Sequence, residues 1–189
     1  MNRTSCVALI LSLICGICQL EAFDGAANVE VRAAAFFPAS SRCREVYGNV
    51  SPDFQIQAAA SYCGCYEVWT NVDCFYHYRR QNSCCNSSET VINGSVGLNY
   101  VIPFCGCMDA YAGIGAAFGH IILKNETCCR DERVSKYAFG GVLKSGMRYY
   151  FDNCVFVDLF FDYIYQPVHF HKTIDVGGPK LGLGLGTSF

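Results

Sequence analysis

The stretch that decides the fold is the last one, Lys180-Leu181-Gly182-Leu183-Gly184-Leu185-Gly186-Thr187-Ser188-Phe189. Leucine alternates with glycine, so an extended chain places Leu181, Leu183, Leu185 and Phe189 on one face and Gly182, Gly184, Gly186 and Ser188 on the other. No helical period fits it. Large apolar groups on one side and almost nothing on the other describe a strand whose bulky face meets an apolar medium while its small face looks into a crowded interior.

The same period of two runs backwards through the chain. Phe54, Ile56, Ala58, Ala60 and Tyr62 oppose Asp53, Gln55, Gln57, Ala59 and Ser61. Further on, Val68, Thr70, Val72, Cys74 and Tyr76 oppose Glu67, Asn71, Asp73 and His77. Nearer the C-terminus, Val155, Val157, Leu159, Phe161, Tyr163 and Tyr165 oppose Asp158, Asp162 and Gln166. Eight strands are predicted: 28–37, 53–63, 66–78, 89–102, 109–124, 138–150, 155–166 and 176–189. The fifth has no clear face.

Alternation alone suits a soluble sandwich as well as a membrane barrel, so the connections must separate them. The links after strands one, three, five and seven are long (38–52, 79–88, 125–137, 167–175), and those after two, four and six are tight (64–65, 103–108, 151–154). This parity, with both ends of the chain on the tight-turn side, predicts an all-β, eight-stranded antiparallel up-and-down transmembrane β-barrel. Aromatics gather at the strand ends as girdles would, at Phe36, Phe37, Tyr62, Tyr66, Tyr76, Tyr78, Tyr100, Phe104, Tyr149, Tyr150, Tyr163 and Tyr165.

At the other terminus, Met1-Asn2-Arg3 precedes an apolar run from Cys6 to Leu20 and a small-residue context at Ala22. The run is short for a membrane helix and reads as a cleavable export signal over 1–22, leaving a barrel of 23–189. Gly, Asn, Asp and Lys break every later apolar stretch below helix-spanning length, so any membrane span must be β. A formal net charge of −2 offers no basic surface for nucleic acid.

With the alternation, loop parity and terminal Phe189 in place, the chain resembles the small outer-membrane barrels of the OmpA/OmpX/OmpW type over essentially its mature length. That resemblance implies contact with outer-membrane lipid, and recognition of the aromatic C-terminal Phe189 by the barrel assembly machinery. The cysteine load also resembles that of disulfide-linked envelope proteins of certain obligate intracellular bacteria, which implies neighbouring envelope proteins as partners.

Of 14 cysteines, eleven remain once Cys6, Cys15 and Cys18 leave with the signal, an odd number that cannot all pair within the chain. Cys63 and Cys65 flank the first tight turn and Cys105 and Cys107 the second, while Cys84, Cys85, Cys128 and Cys129 fall in long links. Bridges from Cys63/Cys65 to Cys105/Cys107 on the tight-turn side, and from Cys84/Cys85 to Cys128/Cys129 on the other, would join neighbouring hairpins. Cys43 and Cys154 are then candidates for links to other molecules, and Cys74 lies in a strand. Two Cys-x-Cys pairs also suit a four-thiolate zinc site, although an oxidising compartment favours disulfides.

The expected inward charges are Glu30, Glu67, Asp73, Asp158 and Asp162 against Arg32, Lys144, Arg148 and Lys180. An eight-stranded barrel is only wide enough for side chains to fill, so these charges must pair. Asp158 and Asp162 stand four residues apart, about 13 Å along a strand, too far to share a proton. No Gly-x-Ser-x-Gly elbow occurs, and His77 or His120 beside a serine is the remaining trace of hydrolase chemistry. His169 and His171 could share a face in the last long link. No enzyme activity, metal or cofactor is expected. Asn86-Ser87-Ser88, Asn93-Gly94-Ser95 and Asn125-Glu126-Thr127 match the glycosylation triplet and would suit the alternative of a secreted, disulfide-rich lipocalin-like binder.

Overall fold

The computed structural model describes residues 26–41, 43–44, 48–82, 85–127, 130–151, 154–169 and 173–189, with backbone alone at 77–82, 85–87, 89, 123–127, 130–133 and 169. The expected signal over 1–22 lies outside the described residues.

Ten strands form: β1 (Ala27–Phe36), β2 (Ser51–Tyr62), β3 (Tyr66–Asn82), β4 (Cys85–Cys105), β5 (Met108–Thr127), β6 (Arg130–Tyr150), β7 (Val155–Tyr165), β8 (Pro167–His169), β9 (Thr173–Asp175) and β10 (Gly178–Ser188). Eight close into a barrel in the order β1-β10-β7-β6-β5-β4-β3-β2, each antiparallel to its neighbours, and β8 and β9 make a separate two-stranded hairpin. Up-and-down order follows from the tight turns, because links of two to four residues can only join antiparallel neighbours. At the first of them the backbone reverses through left-handed Cys63 (φ 53°) and Gly64 (φ 73°). Closure is sealed by Ala27 and Phe189, whose amides each donate to the other's carbonyl at 2.9 Å.

Two of the four expected long links are not loops. β4 and β6 have 21 residues each against 10 in β1 and 11 in β7, about 70 Å of strand against about 35 Å. The β3–β4 and β5–β6 hairpins therefore carry strand pairing through most of 79–88 and 125–137. Alternation is legible only where one face is buried. A ribbon standing clear of the barrel has no buried face, so its sequence reads as loop. Within 167–175, the β8–β9 hairpin pairs Pro167 with Asp175 and His169 with Thr173.

The face of β5 that the sequence left undecided is fixed by the ladder: Tyr111, Ala117 and Ile121 are buried while Ile114 and Phe118 are exposed. Throughout the barrel the polarity is inverted relative to a soluble protein. Val31, Phe54, Leu98, Ile114, Leu143, Leu159, Leu181, Leu183 and Leu185 are exposed on the outer wall, and Arg32, Asp73, Asp158 and Lys180 are fully buried inside. On β7 the outward set runs from Val155 to Tyr165, ten steps or about 33 Å of strand, which at a tilt near 40° is a band about 25 Å tall.

Among the described girdle candidates two turn inward: Phe36, at 2% exposure, stacks on Phe75 with ring centroids 4.5 Å apart, and Tyr150 lines the tight-turn mouth against buried Phe156. Others meet the expectation in pairs, Tyr66 with Tyr100 and Tyr149 with Phe151 at the tight-turn end.

Candidate functional site

All nine charged residues expected to face inward do so, and the ladder adds Asp53, which belongs to the same polar alternation on β2. They sort by height into three clusters. At the tight-turn end, Arg148 grips Glu67 with both ends of its guanidinium, Nη1 to Oε2 at 2.6 Å and Nη2 to Oε1 at 2.8 Å. Asn28 and Asn99 donate to the same carboxylate at 3.2 and 2.8 Å. That fork-to-fork geometry is the strongest ion pair a side chain offers.

Halfway up, Arg32 is the hub. Its Nε lies 2.6 Å from Glu30 Oε1, and its Nη2 lies 2.6 Å from Asp158 Oδ2 and donates to the Tyr111 hydroxyl at 2.8 Å. Tyr111 in turn donates to Asp158 Oδ2 at 2.8 Å. Asp162 stands 3.5 Å from the other guanidinium nitrogen. Thus the two aspartates on β7 share a cation rather than a proton, and no acid/base pair forms. The Phe160 ring lies 4.4 Å below the same guanidinium.

Lys144 donates to Gln57 and sits 4.3 Å over the Trp69 ring. Trp69 was not singled out from sequence, although it fixes the small residues opposite. A Cβ on Gly97 would come within 2.5 Å of the indole, and one on Gly115 within 2.6 Å. Only glycine lets the ring lie flat against β4 and β5. Nearer the long-loop end, Lys180 reaches Asp73 at 2.6 Å and Asp53 at 3.0 Å, with Gln55 and Asn93 donating to those two acids.

Above this the lumen turns apolar. Phe36, Phe75, Val91, Ile121, Ala138, Val168 and Val176 form one cluster that roofs the charges. The β8–β9 hairpin supplies Val168, and its base is clamped by Asp175 Oδ1, which accepts from the amides of Gln166 and Gly177 at 2.9 Å each. At the opposite end an open cavity of about 180 Å³ reaches in as far as Glu67 and Arg148, past Tyr66 and Tyr150. The barrel is plugged by its own side chains, open to solvent at the tight-turn mouth and roofed at the other. Among the described residues the interior is charged and filled, unlike the apolar ligand chamber of a lipocalin. Asn93 of one glycosylation triplet is 1% exposed inside this interior; the side chains of Asn86 and Asn125 lie outside the described residues.

The cysteines are placed unevenly. Cys63, Cys65, Cys105, Cys107 and Cys154 carry no disulfide in this structure. The first tight turn stops level with Val101, whose amide donates to Cys65 O at 2.8 Å. β4 runs four residues farther to Cys105, about 13 Å, so the two Cys-Gly-Cys turns stand at different heights and are not brought together. What the fold does bring together is Cys105 and Cys107, sulfur to sulfur at 3.5 Å. Cys43 packs against the apolar roof, its thiol 4.0 Å from Asp175 O. Cys154 is exposed at the third turn and Cys74 faces out from β3. Cys84, Cys128, Cys129 and His171 lie outside the described residues, as do the side chains of Cys85, His77 and His169. On the backbone, Cys85 is the register partner of Thr127. No group of three metal-ligating side chains occurs among the described residues.

His120 does meet a serine: its Nε2 lies 2.7 Å from Ser135 Oγ across β5 and β6, with the imidazole stacked on Tyr137. Triad chemistry needs a third group to orient the histidine and free amides to hold an oxyanion. Among the described residues no carboxylate bonds this imidazole, and both neighbouring ladders pair through this region. The pair belongs to the exposed aromatic strip that includes Phe118 and Phe139.

No protein-family model matches the chain, and no curated protein matches its sequence. Solved structures do. Ail, the attachment invasion locus protein of Yersinia pestis, superposes with a TM-score of 0.63 at 13% identity over 88% of this chain and 100% of its own. Neisserial surface protein A gives 0.63 at 17%, over 88% of this chain and 100% of its own. The outer membrane protein OprG of Pseudomonas aeruginosa gives 0.62 at 11%, over 87% of this chain and 96% of its own. With its closed eight-stranded antiparallel wall, this chain has the fold of the small outer-membrane β-barrels.

Proposed function

We propose that this protein is an outer-membrane β-barrel with a structural or surface-interaction role, exported by residues 1–22 and inserted as residues 23–189. The carrying observation is the inverted wall: a continuous apolar exterior about 25 Å tall around an interior of ion pairs. Water would leave that exterior uncovered, whereas lipid covers it at no cost in polar groups. The tight turns then face the periplasm, and the two projecting hairpins with the β8–β9 hairpin face outward as the surface for partners. The plugged lumen favours this role over transport. Among the described residues the His120–Ser135 pair has no carboxylate to orient it, in keeping with a non-enzymatic role. The terminal Phe189, paired with Ala27 at the barrel seam, is the element offered to the assembly machinery.

The thiols extend the reading to envelope cross-linking. Exposed Cys154 suits a link to a neighbour, with Cys43 available only if the roof opens. The register of Cys85 with Thr127 favours bridging of Cys84/Cys85 to Cys128/Cys129 at the hairpin tips. Fractionation of cells on non-reducing and reducing gels tests both parts. We expect the protein in the outer-membrane fraction, heat-modifiable in mobility, and as higher-mass species that collapse with reductant. A soluble protein would overturn the location, and a reductant-insensitive monomer band would overturn the cross-linking.

A further inference from the structure

Two turns on the periplasmic-facing end share the sequence Cys-Gly-Cys, yet they are built differently. In Cys63-Gly64-Cys65 the first two residues are left-handed, and both cysteines are exposed and carry no disulfide. In Cys105-Gly106-Cys107 the strand pairing continues to Cys105 opposite Met108 after a register shift at Pro103. Only Gly106 and Cys107 then make the reversal, and the sulfurs come to 3.5 Å. Cys105 is exposed and Cys107 partly so, beyond the Tyr66–Tyr100 aromatics and clear of the membrane band.

We infer that Cys105-Gly106-Cys107 is a redox-active dithiol that exchanges with disulfides of its compartment, Cys105 being the attacking sulfur and Cys107 the resolving one. The Cys105 thiolate attacks one sulfur of a disulfide RSSR, whether small or on a protein, forming the Cys105–SR bond and breaking the S–S bond of RSSR. The released thiolate takes a proton from water. Cys107, deprotonated to solvent, then attacks the Cys105 sulfur, forming the Cys105–Cys107 bond and expelling a second thiolate, which is also protonated. Two electrons pass from the turn to RSSR, giving two RSH, and the reverse passes the disulfide on to a reduced partner.

The Cys107 backbone amide, and then the Cys107 thiol, bond the Cys105 sulfur and hold its thiol below the ordinary cysteine range. The same sulfur-to-sulfur bond pushes the Cys107 thiol up. The lower member ionises first and attacks, and the higher one keeps its proton until the mixed disulfide removes its acceptor. The inference rests on the envelope reading only for the supply of disulfides; its chemistry belongs to the turn.

The test uses the full chain folded in detergent, checked for barrel integrity by heat-modifiable mobility, and oxidised glutathione as the probe. Chymotryptic cleavage after Tyr62 and Tyr66 isolates the first turn, and cleavage after Phe104 and Tyr111 isolates the second. We expect the second-turn peptide to lose two hydrogens and carry no glutathione, while the first-turn peptide carries glutathione adducts. Cys107→Ser should trap glutathione on Cys105, and Cys105→Ser should slow reaction of the turn about tenfold or more. Persistent glutathione on both turns of the wild-type protein, or equal rates for the two serine variants, would overturn the inference. A gel showing no cross-linked species in cells would count against the envelope reading and leave this result standing.

Discussion

Val31 and Arg32 are adjacent in the chain, and their exposures are 60% and 0%. The contrast repeats at Leu183 and Gly184, and at Leu159 and Asp158. One surface of the wall has almost no polar groups and faces outward, while the other holds ten charges, all buried, and opens to solvent only at the tight-turn mouth. In a soluble barrel these roles are exchanged. Two different devices hold the wall: ion pairs and amide hydrogen bonds knit the inside together, and the surrounding medium covers the outside.

Breaking the inner device should cost most. Arg148→Ala leaves Glu67 with only Asn28 and Asn99, and we expect a loss of about 3–5 kcal/mol, because one member of a buried pair is left uncompensated. The double variant Glu67→Gln, Arg148→Met should recover most of it, and denaturant titration of heat-modifiable mobility measures both. Leu183→Arg breaks the outer device. In a bilayer it should cost about 2–4 kcal/mol near the midplane, with a much smaller penalty in detergent, where the side chain reaches water. Gly115→Ala probes the junction of ring and wall: the added carbon meets Val96 O at 2.5 Å and the Trp69 ring at 2.6 Å, for about 1–3 kcal/mol of overpacking.

Smallest in stability are the turn thiols. Cys105→Ser and Cys107→Ser should lie within about 0.5 kcal/mol of the wild type, as exposed substitutions do. Their chemistry differs instead: with its pKa lowered, Cys105 should be alkylated at lower pH than Cys107, as peptide mass spectrometry after a pH series of iodoacetamide pulses would show.

The parts of the molecule legible in sequence follow the same division. Every strand whose inner face is polar and outer face apolar was readable, down to the nine inward charges, since neighbouring residues meet opposite media. β5 resisted because glycine and alanine stand on both of its faces, and only pairing with β4 and β6 assigns them. The long hairpins resisted because residues beyond the barrel meet one medium on both sides. Trp69 was hidden for a different reason. On the strand it breaks the polar run between Glu67 and Asn71, and its signal lies in Gly97 and Gly115, one and two strands further along the sequence. The cysteine pairing suggested by adjacent turns assumed equal strand lengths. Four extra residues on β4 separate those turns and leave Cys105 facing Cys107.

On the proposed reading one face of each strand meets lipid and the other is turned to the interior of the barrel. Reconstitution into lipid vesicles, carbene photolabelling from a hydrophobic reagent dissolved in the acyl chains and residue-level mass spectrometry test it most directly. We expect labels alternating with a period of two, at Leu181, Leu183 and Leu185 on β10 and at Val157, Leu159 and Phe161 on β7, with Arg32, Asp158 and Lys180 unlabelled. Equal labelling of both faces, or no labelling of the leucines, would contradict it.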